Sequence, residues 1–406
     1  MAKGQRSYEI DMCSGAILPK MLRFTIPLMC STMLQLLFNA ADIIVVGRWA
    51  GDNSLAAVGS NSSLIALLTN LFLGISIGAN ILAAKHYGAK EDRGLSKTVH
   101  TAMTLALLSG LVLTVVGILG ARQILLWMQC PPNVLDLASL YLRIYFGGMT
   151  ATMAYNFGAA LLRSVGDTRR PLYYLFGAGI VNVVLNLFFV IVCKLDVAGV
   201  AIATVISQCI SAFLVIRCLI REPGAIHLDL RQLKIYPTKL RQILQVGLPA
   251  GVQGVLFALS NVVIQSSVNS FGEVIMAGNS AANNIENFIY AATNSFYQAN
   301  VSFTSQNMGA GNYRRIWQVL SRAMICVFFT GLLLGGLAAL FGAPLLHIYS
   351  KSPEVIAAGM VRLRIVCVTY AICGMMDVAV GTLRGIGYSL LPMIVTLVGA
   401  CGLRLV

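Results

Sequence analysis

The chain has 406 residues, 57% of them hydrophobic and 11% charged, where a typical soluble domain has ~45–50% apolar and ~25% charged residues. That balance excludes a water-soluble enzyme. The net charge of +14, from 29 basic and 15 acidic residues, would suit a nucleic-acid surface only if the charges shared one face, and instead they alternate between loops.

In chain order the uncharged stretches run Leu22 to Val46, Leu55 to Ala84, Thr98 to Leu119, Leu135 to Leu161, Leu172 to Cys193 and Val197 to Ile220. They continue as Ile243 to Val268, Val274 to Phe303, Val319 to Phe341, Val355 to Leu383 and Leu391 onward. An α-helix needs about 20 residues to cross a ~30 Å hydrocarbon layer, so the pattern predicts an all-α polytopic membrane protein with ten full spans and part of an eleventh. The long polar interval Arg221 to Arg241, with Pro223, Gly224 and Pro237, reads as a linker. Of the lysines and arginines, 21 fall in the N-terminal tail and even-numbered loops and 7 on the opposite side. Such a bias marks the cytoplasmic face, which predicts a multi-pass membrane protein with a cytoplasmic N-terminus. Glu9 and Asp11 interrupt the tail and the first apolar run is long enough to span, so no cleaved signal peptide is read. The ten cysteines include no CxxC pair and read mostly as small core residues. Cys130 and Cys193, both at span ends on one side, are the one pair placed to form a disulfide if they meet.

Short patterns recur at a single spacing across the linker. Gly88-Ala89 returns as Gly309-Ala310, Leu142-Arg143-Ile144 as Leu363-Arg364-Ile365, and Pro132-x-Val134 as Pro353-x-Val355. Leu162-Arg163-x-x-Gly166-x4-Pro171 returns as Leu383-Arg384-x-x-Gly387-x4-Pro392, again offset by 221, and Pro27 and Pro249 differ by 222. The expected organisation is an N-terminal six-helix bundle over 1–220, a cytoplasmic linker over 221–241 and a partial C-terminal bundle, spans seven to eleven, over 242–406. Six spans separate the copies, so both enter the membrane in the same sense, as in secondary transporters with a central site between parallel repeats. The same offset puts the partner of the sixth span near 418 to 441, so the sequence is read as a shortened twelve-span protein.

The motifs that are missing narrow the chemistry. There is no GxxxxGK[ST] loop and no HExxH, and His86, His100, His227 and His347 are dispersed. Neither ATP-driven transport by this chain alone nor zinc-dependent proteolysis is supported, and no cofactor is expected beyond a proton or sodium gradient. Charges at mid-bilayer cost ~2.5–3.5 kcal/mol on insertion scales, which singles out three acids within the spans: Asp42, Glu286 and Asp377. Asp42 shares a helix face with Gln35, Phe38 and Asn39, and a carboxyl shielded there can exchange a proton whenever a cavity opens to water. Pro27 marks a bend in the same helix, functional or merely structural. Asn182 and Asn186 are i,i+4 on the fifth span, and Asn156 occupies the position that Asp377 takes in the second copy. The eighth span carries an amide stripe, Asn283, Asn287, Tyr290 and Asn294, with Glu286 beside it. So much amide in hydrocarbon calls for a water-filled cleft. Met276, Phe288 and Phe296 read as packing residues.

Taken together, Ile26-Pro27 to Asp42, Val46-Gly47-Arg48, Leu162-Arg163-x-x-Gly166-Asp167-Thr168-x-x-Pro171, Gln306-Asn307-x-Gly309-Ala310-Gly311 and Leu383-Arg384-Gly385-x-Gly387-x-Ser389-x-x-Pro392 resemble the multidrug and toxic compound extrusion (MATE) family, prokaryotic branch. The resemblance covers nearly the whole chain. It implies two six-helix bundles around a V-shaped cleft, cation-coupled export of organic, often cationic, drugs or toxic compounds, and a non-enzymatic protein expected to be a monomer. Its partners would be the small organic substrate and membrane lipid, with no nucleic acid. Gln35, Asp42, Asn156, Asn182, Asn186 and Thr204 match the family's N-lobe site, with one departure: the family often has a second carboxylate where this chain has Asn186. The alternative, a flippase for lipid-linked precursors, would call for a basic cluster to hold diphosphate, whereas the cleft candidates are acids and amides. A major-facilitator transporter would need clustered basic residues in the loop Gly88 to Gly94, which is mixed in charge. A lipid transferase would have only Glu286 and Asp377 to work with.

Overall fold

Proline and glycine punctuate the chain where its helices begin and end. In the computed structural model, which describes residues 8–128 and 130–402, Pro132, Pro237 and Pro353 each open a helix, a position where the missing N–H is no loss. The helices are α1 (Ile17–Trp49), α2 (Asp52–Gly88), α3 (Asp92–Trp127), α4 (Pro132–Gly147), α5 (Met149–Ser164), α6 (Arg169–Leu187), continued by a wide turn at Phe188–Val192, and α7 (Asp196–Arg221). After a single short turn at Leu230–Gln232 come α8 (Pro237–Asn269), α9 (Glu273–Gly309), α10 (Tyr313–Leu340), α11 (Gly342–His347), α12 (Pro353–Gly385) and α13 (Leu390–Thr396), continued by Leu397–Gly402.

Seven of these helices are long and apolar enough to cross a bilayer, and α12, bent by 43° between Cys367 and Thr369, makes an eighth passage. The count falls below the ten expected from hydropathy for local reasons. The fourth span is divided at Gly148 into α4 and α5, which run end to end along α3, and α9 is long enough but too rich in amides. Cys130 and Cys193 are both free thiols.

The spacing of 221 is carried by backbone geometry as well as by residue type. α2 and α9 begin at Asp52 and Glu273 and end at Gly88 and Gly309. Their preceding turns place Gly51 and Gly272 at φ 87° and 97°, and the turns that follow α5 and α12 place Gly166 and Gly387 at 94° and 107°, a region open to glycine at little cost. Even the polar staples repeat: Thr168 Oγ1 donates to the Phe24 carbonyl at 2.9 Å, and Ser389 Oγ to the Val246 carbonyl at 2.8 Å. Two parallel repeats therefore build the molecule.

The repeats meet at the end that carries the N-terminal segment and the linker, here termed the basic end. A Cβ on Gly88 would lie 2.0 Å from the Gln306 carbonyl oxygen, and one on Gly309 would lie 1.9 Å from that of Lys85, a reciprocal contact about the pseudo-two-fold axis. Gly74 and Gly78 of α2 interlock in the same way with Gly251 and Gly247 of α8. Only residues without a side chain let backbones come this close. α1 also crosses over: Met21, Phe24 and Leu28 pack with Phe296, Phe303 and Val319 of α9 and α10, and the Phe24 and Phe303 rings meet edge to face at 6.0 Å.

Toward the opposite end the contact ceases. Gly254 is the last glycine of α8 to approach α2, beside Asn70, and beyond it Leu259, Val262 and Val263 are exposed. The halves diverge into a V.

Two further segments fasten the basic end. Residues 8–15, read from sequence only as a polar tail, form a strap across both repeats. Ile10 N–H donates to the Val165 carbonyl and Tyr87 OH to Glu9, while Met12 N–H donates to Gln306 Oε1, and Asn307 Nδ2 and Arg315 Nε donate to the Met12 carbonyl. The linker is docked as well: Ile226 and Leu228 are buried in the N-terminal core, and Asp229 and Tyr236 N–H donate to His100 and Thr101 of α3.

Candidate functional site

On α1 the positions Met21, Phe24, Leu28, Ser31, Gln35, Asn39 and Asp42 form one i, i+3/i+4 stripe. Its lower residues are covered by α9 and α10. Gln35 and Asn39, higher up, are exposed, so the stripe emerges from the closed interface onto the wall of the cleft. Phe38 packs so closely on α6 that a Cβ on Gly179 would overlap its ring.

At the top of this stripe Asp42 is 9% exposed and turns into its own bundle. Asn186 Nδ2 donates to Asp42 Oδ1, and Thr204 Oγ1 donates to Asp42 Oδ2 at 3.4 Å. Asn182 Nδ2 donates to Thr204 Oγ1 at 3.4 Å, and Asn186 Nδ2 also reaches Asn182 Oδ1 at 3.2 Å. Three helices, α1, α6 and α7, thus supply one network, and the i,i+4 spacing of the two asparagines aims both amides at it. No lysine, arginine or histidine pairs with Asp42 among the described residues, and Asn186 Oδ1 is buried without a partner. Tyr141 and Tyr145 of α4 lie within electrostatic range of the carboxylate. Gln35 and Asn39 flank this cluster without bonding to it, and Asn156 folds back on its own helix, donating to the Thr152 carbonyl at 2.9 Å. Pro27 lies inside an unbroken α1, within the stretch that packs on the second repeat and about four turns before Asp42.

In the second repeat the amide stripe of α9 lies on the side adjoining the one that meets α2, where Ser302 Oγ donates to Asn80 Oδ1 at 3.2 Å. Asn283, Asn287 and Tyr290 are exposed there. Gln298 Nε2 donates to Asn294 Oδ1 and Asn294 Nδ2 to the Tyr290 hydroxyl, so each amide serves the next. Glu286, on the adjoining face, is turned toward α12. It is 1% exposed and accepts two hydrogen bonds from Arg362, Nε to Oε1 at 2.6 Å and Nη2 to Oε2 at 2.7 Å, while Arg362 Nη1 donates to Asn279. Asp377, by contrast, is half-buried without a hydrogen bond or ion pair among the described residues, in the field of Arg384 and beside Tyr290. Arg384 is itself held by the Tyr297 hydroxyl at 2.6 Å and Gln253 Oε1 at 2.5 Å.

The two acids of the C-terminal half therefore differ in kind: one is a fixed half of an ion pair, the other a carboxyl unpaired among the described residues. Arg362 had one sequence signal, an arginine that with Arg364 interrupts the apolar run from Val355 to Leu383. That it would pair with Glu286, 76 positions away, had none. Among the described residues no three His, Cys, Asp or Glu side chains converge on a metal-binding point.

Comparison with known proteins agrees with this architecture. The MatE family model matches the chain twice, over residues 27–188 and 249–406. The chain is 30% identical over 389 residues to the probable multidrug resistance protein YoeA of Bacillus subtilis, covering 94% of this chain and 84% of that protein. It is 22% identical over 392 residues to the probable multidrug resistance protein NorM of Thermotoga maritima, covering 95% and 84%. In fold it is similar to an outward-facing multidrug resistance MATE family transporter of the MOP superfamily, with a TM-score of 0.90 at 22% identity over 98% of this chain and 88% of that one. The overall fold is thus shared with that transporter, and the chain belongs to the MatE (multidrug and toxic compound extrusion) family of multi-pass membrane transporters.

Proposed function

We propose that the protein is a proton-coupled antiporter that exports small organic, often cationic, compounds across the bacterial plasma membrane by alternating access, with its basic end in the cytoplasm. The orientation rests on the loop charges, 21 basic residues on the basic-end side against 7 on the other. In this orientation the glycine interlock and the strap seal the cytoplasmic side, and the cleft opens outward.

The observation that carries the coupling is the isolated Asp42 network. The carboxylate is held by neutral donors alone, and the amide that holds it has an idle oxygen. Ionised Asp42 accepts from Asn186 Nδ2. Once protonated it becomes a donor, and a half-turn of the Asn186 amide brings Oδ1 into place to receive that proton. The same contact then persists in both states with reversed polarity, while the remaining bonds to Thr204 and Asn182 must rearrange. Because α1 is anchored on both sides of Pro27 to the second repeat and at its far end to this network, the rearrangement is transmitted to the interface between the halves. A sodium ion would want several oxygen ligands, and a single carboxylate among amides suits a proton better.

The alternating amides and tyrosines of α9, together with Asp377, supply the opposite wall. They offer a diffuse set of acceptors and one carboxyl to a lipophilic cation, and few fixed directional contacts. One charge moved through 100 mV is worth ~2.3 kcal/mol, enough for roughly fiftyfold accumulation if one proton is exchanged for a neutral compound. The test is dye efflux from proteoliposomes of the purified protein, under an imposed pH gradient and then a sodium gradient. Efflux driven by the pH gradient alone is expected. Efflux that follows sodium and ignores pH contradicts the proton reading.

A further inference from the structure

A cavity of about 650 Å³ lies at the basic end between α6, α7 and the strap, outside the cleft. Tyr8 and Glu9 of the strap form one side, and Tyr174, Arg217 and Arg221 face it from α6 and α7. The charges within it are unequally used. Arg170 is spent on Asp167 and Glu222 and lies under the Tyr8 ring, and Glu9 accepts from Tyr87. Arg217 and Arg221, one helical turn apart, are exposed and have no hydrogen bond or ion pair among the described residues. Two uncommitted guanidinium groups thus point at a space with two tyrosines at its edge.

The surroundings identify the kind of molecule that belongs there. Immediately toward the membrane, Tyr173, Phe176 and Ile180 of α6 and Phe213 of α7 are exposed, forming an apolar band that begins where the cavity ends. A free anion would use the arginines and leave the band to other lipids. An anionic glycerophospholipid uses both, with its phosphate on Arg217 and Arg221 and its chains along α6 and α7. Basic pockets at the cytoplasmic ends of transmembrane helices suit such headgroups, and guanidinium forks match phosphate oxygens in pairs.

We infer that this cavity is a binding site for the phosphodiester headgroup of an anionic phospholipid, held by Arg217 and Arg221. It rests on the cytoplasmic orientation proposed above only for which leaflet supplies the lipid. The binding chemistry is tested in detergent, where orientation plays no part.

The purified full chain is titrated with phosphatidylglycerol or phosphatidylcholine and bound lipid is counted by native mass spectrometry. The chains compared are wild type, Arg217→Ala/Arg221→Ala, and Arg93→Ala/Arg231→Ala, which removes equal charge from exposed positions at the same end. Phosphatidylglycerol is expected to bind wild type and the control pair alike and the Arg217/Arg221 pair roughly thirtyfold more weakly, with phosphatidylcholine weak on all three. Equal phosphatidylglycerol binding by all three chains overturns the proposal. Displacement of the lipid by millimolar inorganic phosphate also overturns it, since that marks a site for the free anion. Should the alanine pair unfold more readily in lipid-free detergent, Arg217→Gln/Arg221→Gln, which keeps a polar stem, decides by the same comparison.

Discussion

Asp42, Glu286 and Asp377 are the three acids within spans, and their surroundings assign them different work. Asp42 has donors that can be exchanged and no counter-charge. Replacing it with Asn keeps the shape and removes the titrating group, so accumulation driven by a gradient should fall from roughly fiftyfold toward none while the amount of protein in the membrane is unchanged. Undiminished export by Asp42→Asn in a dye-efflux assay would take Asp42 out of the mechanism. Glu286 is expected to matter for stability instead. Its pairing with Arg362 is bidentate and buried, and removing one partner of such a pair costs ~3–5 kcal/mol, whereas an apolar pair of similar volume is often neutral or stabilising. Thermal unfolding in detergent should therefore show Glu286→Gln strongly destabilised and Glu286→Leu/Arg362→Met near wild type. Equal destabilisation of both would show that the charges do more than hold α9 to α12. From sequence all three acids look alike, because the partner that distinguishes Glu286 is supplied by a helix far along the chain.

At the scale of single elements, the decisive feature is the absence of side chains where α2 meets α8 and α9. Gly88 and Gly309 recur at the repeat spacing, and that recurrence was legible. That the two copies face each other across the axis, each filling the space where the other's Cβ would be, was not. A side chain at Gly88 must push the Gln306 carbonyl away, and overpacking of this sort costs ~1–3 kcal/mol, charged only to the arrangement that is closed at the basic end. Gly88→Val is therefore expected to shift the population toward opening there by roughly five- to 150-fold. Spin labels at the exposed, repeat-related positions Arg93 and Arg314 should report a longer distance distribution in Gly88→Val than in the parent, and an unchanged distribution contradicts the role given to the interlock. The strap belongs to the same seal. Ile10 and Met12 are buried, but their segment has neither helical nor strand periodicity, and apart from the Glu9 contact the bonds named above run through its backbone groups, which every sequence possesses.

For the molecule as a whole, closure at one end and divergence at the other predict that freezing the closed end stops transport. Asn80 and Ser302 touch across the axis at 3.2 Å, near the level of the interlock. Cysteines at both positions, in a chain whose native cysteines are replaced, should crosslink on oxidation, abolish efflux, and recover it on reduction. Continued efflux from a fully crosslinked chain would mean that the basic end need not open, and the alternating-access reading would fall. The crossing of α1 and α8 onto the opposite repeats also refines the expected division into 1–220 and 242–406. Each bundle owns its first helix at the cleft, while the other bundle holds that helix at the basic end.

What the sequence determined alone was the solvent of the protein, its class and its repeat. Apolar length sets the number of passages, charge bias sets the orientation to be tested, and a shared spacing of 221 sets the duplication, all of them properties that add up along the chain. It also placed Asp42, Asn182, Asn186 and Thr204 on a common list, through periodicity and family resemblance. Tertiary structure decided which polar groups touch. It gave Asp42 its amides and Glu286 its arginine, left Asp377 unpaired, and turned a polar tail into a strap. Those outcomes depend on contacts between segments tens to hundreds of residues apart, and such contacts are set by helix packing and by the backbone approaches that glycine permits, neither of which is written in any local window of the chain.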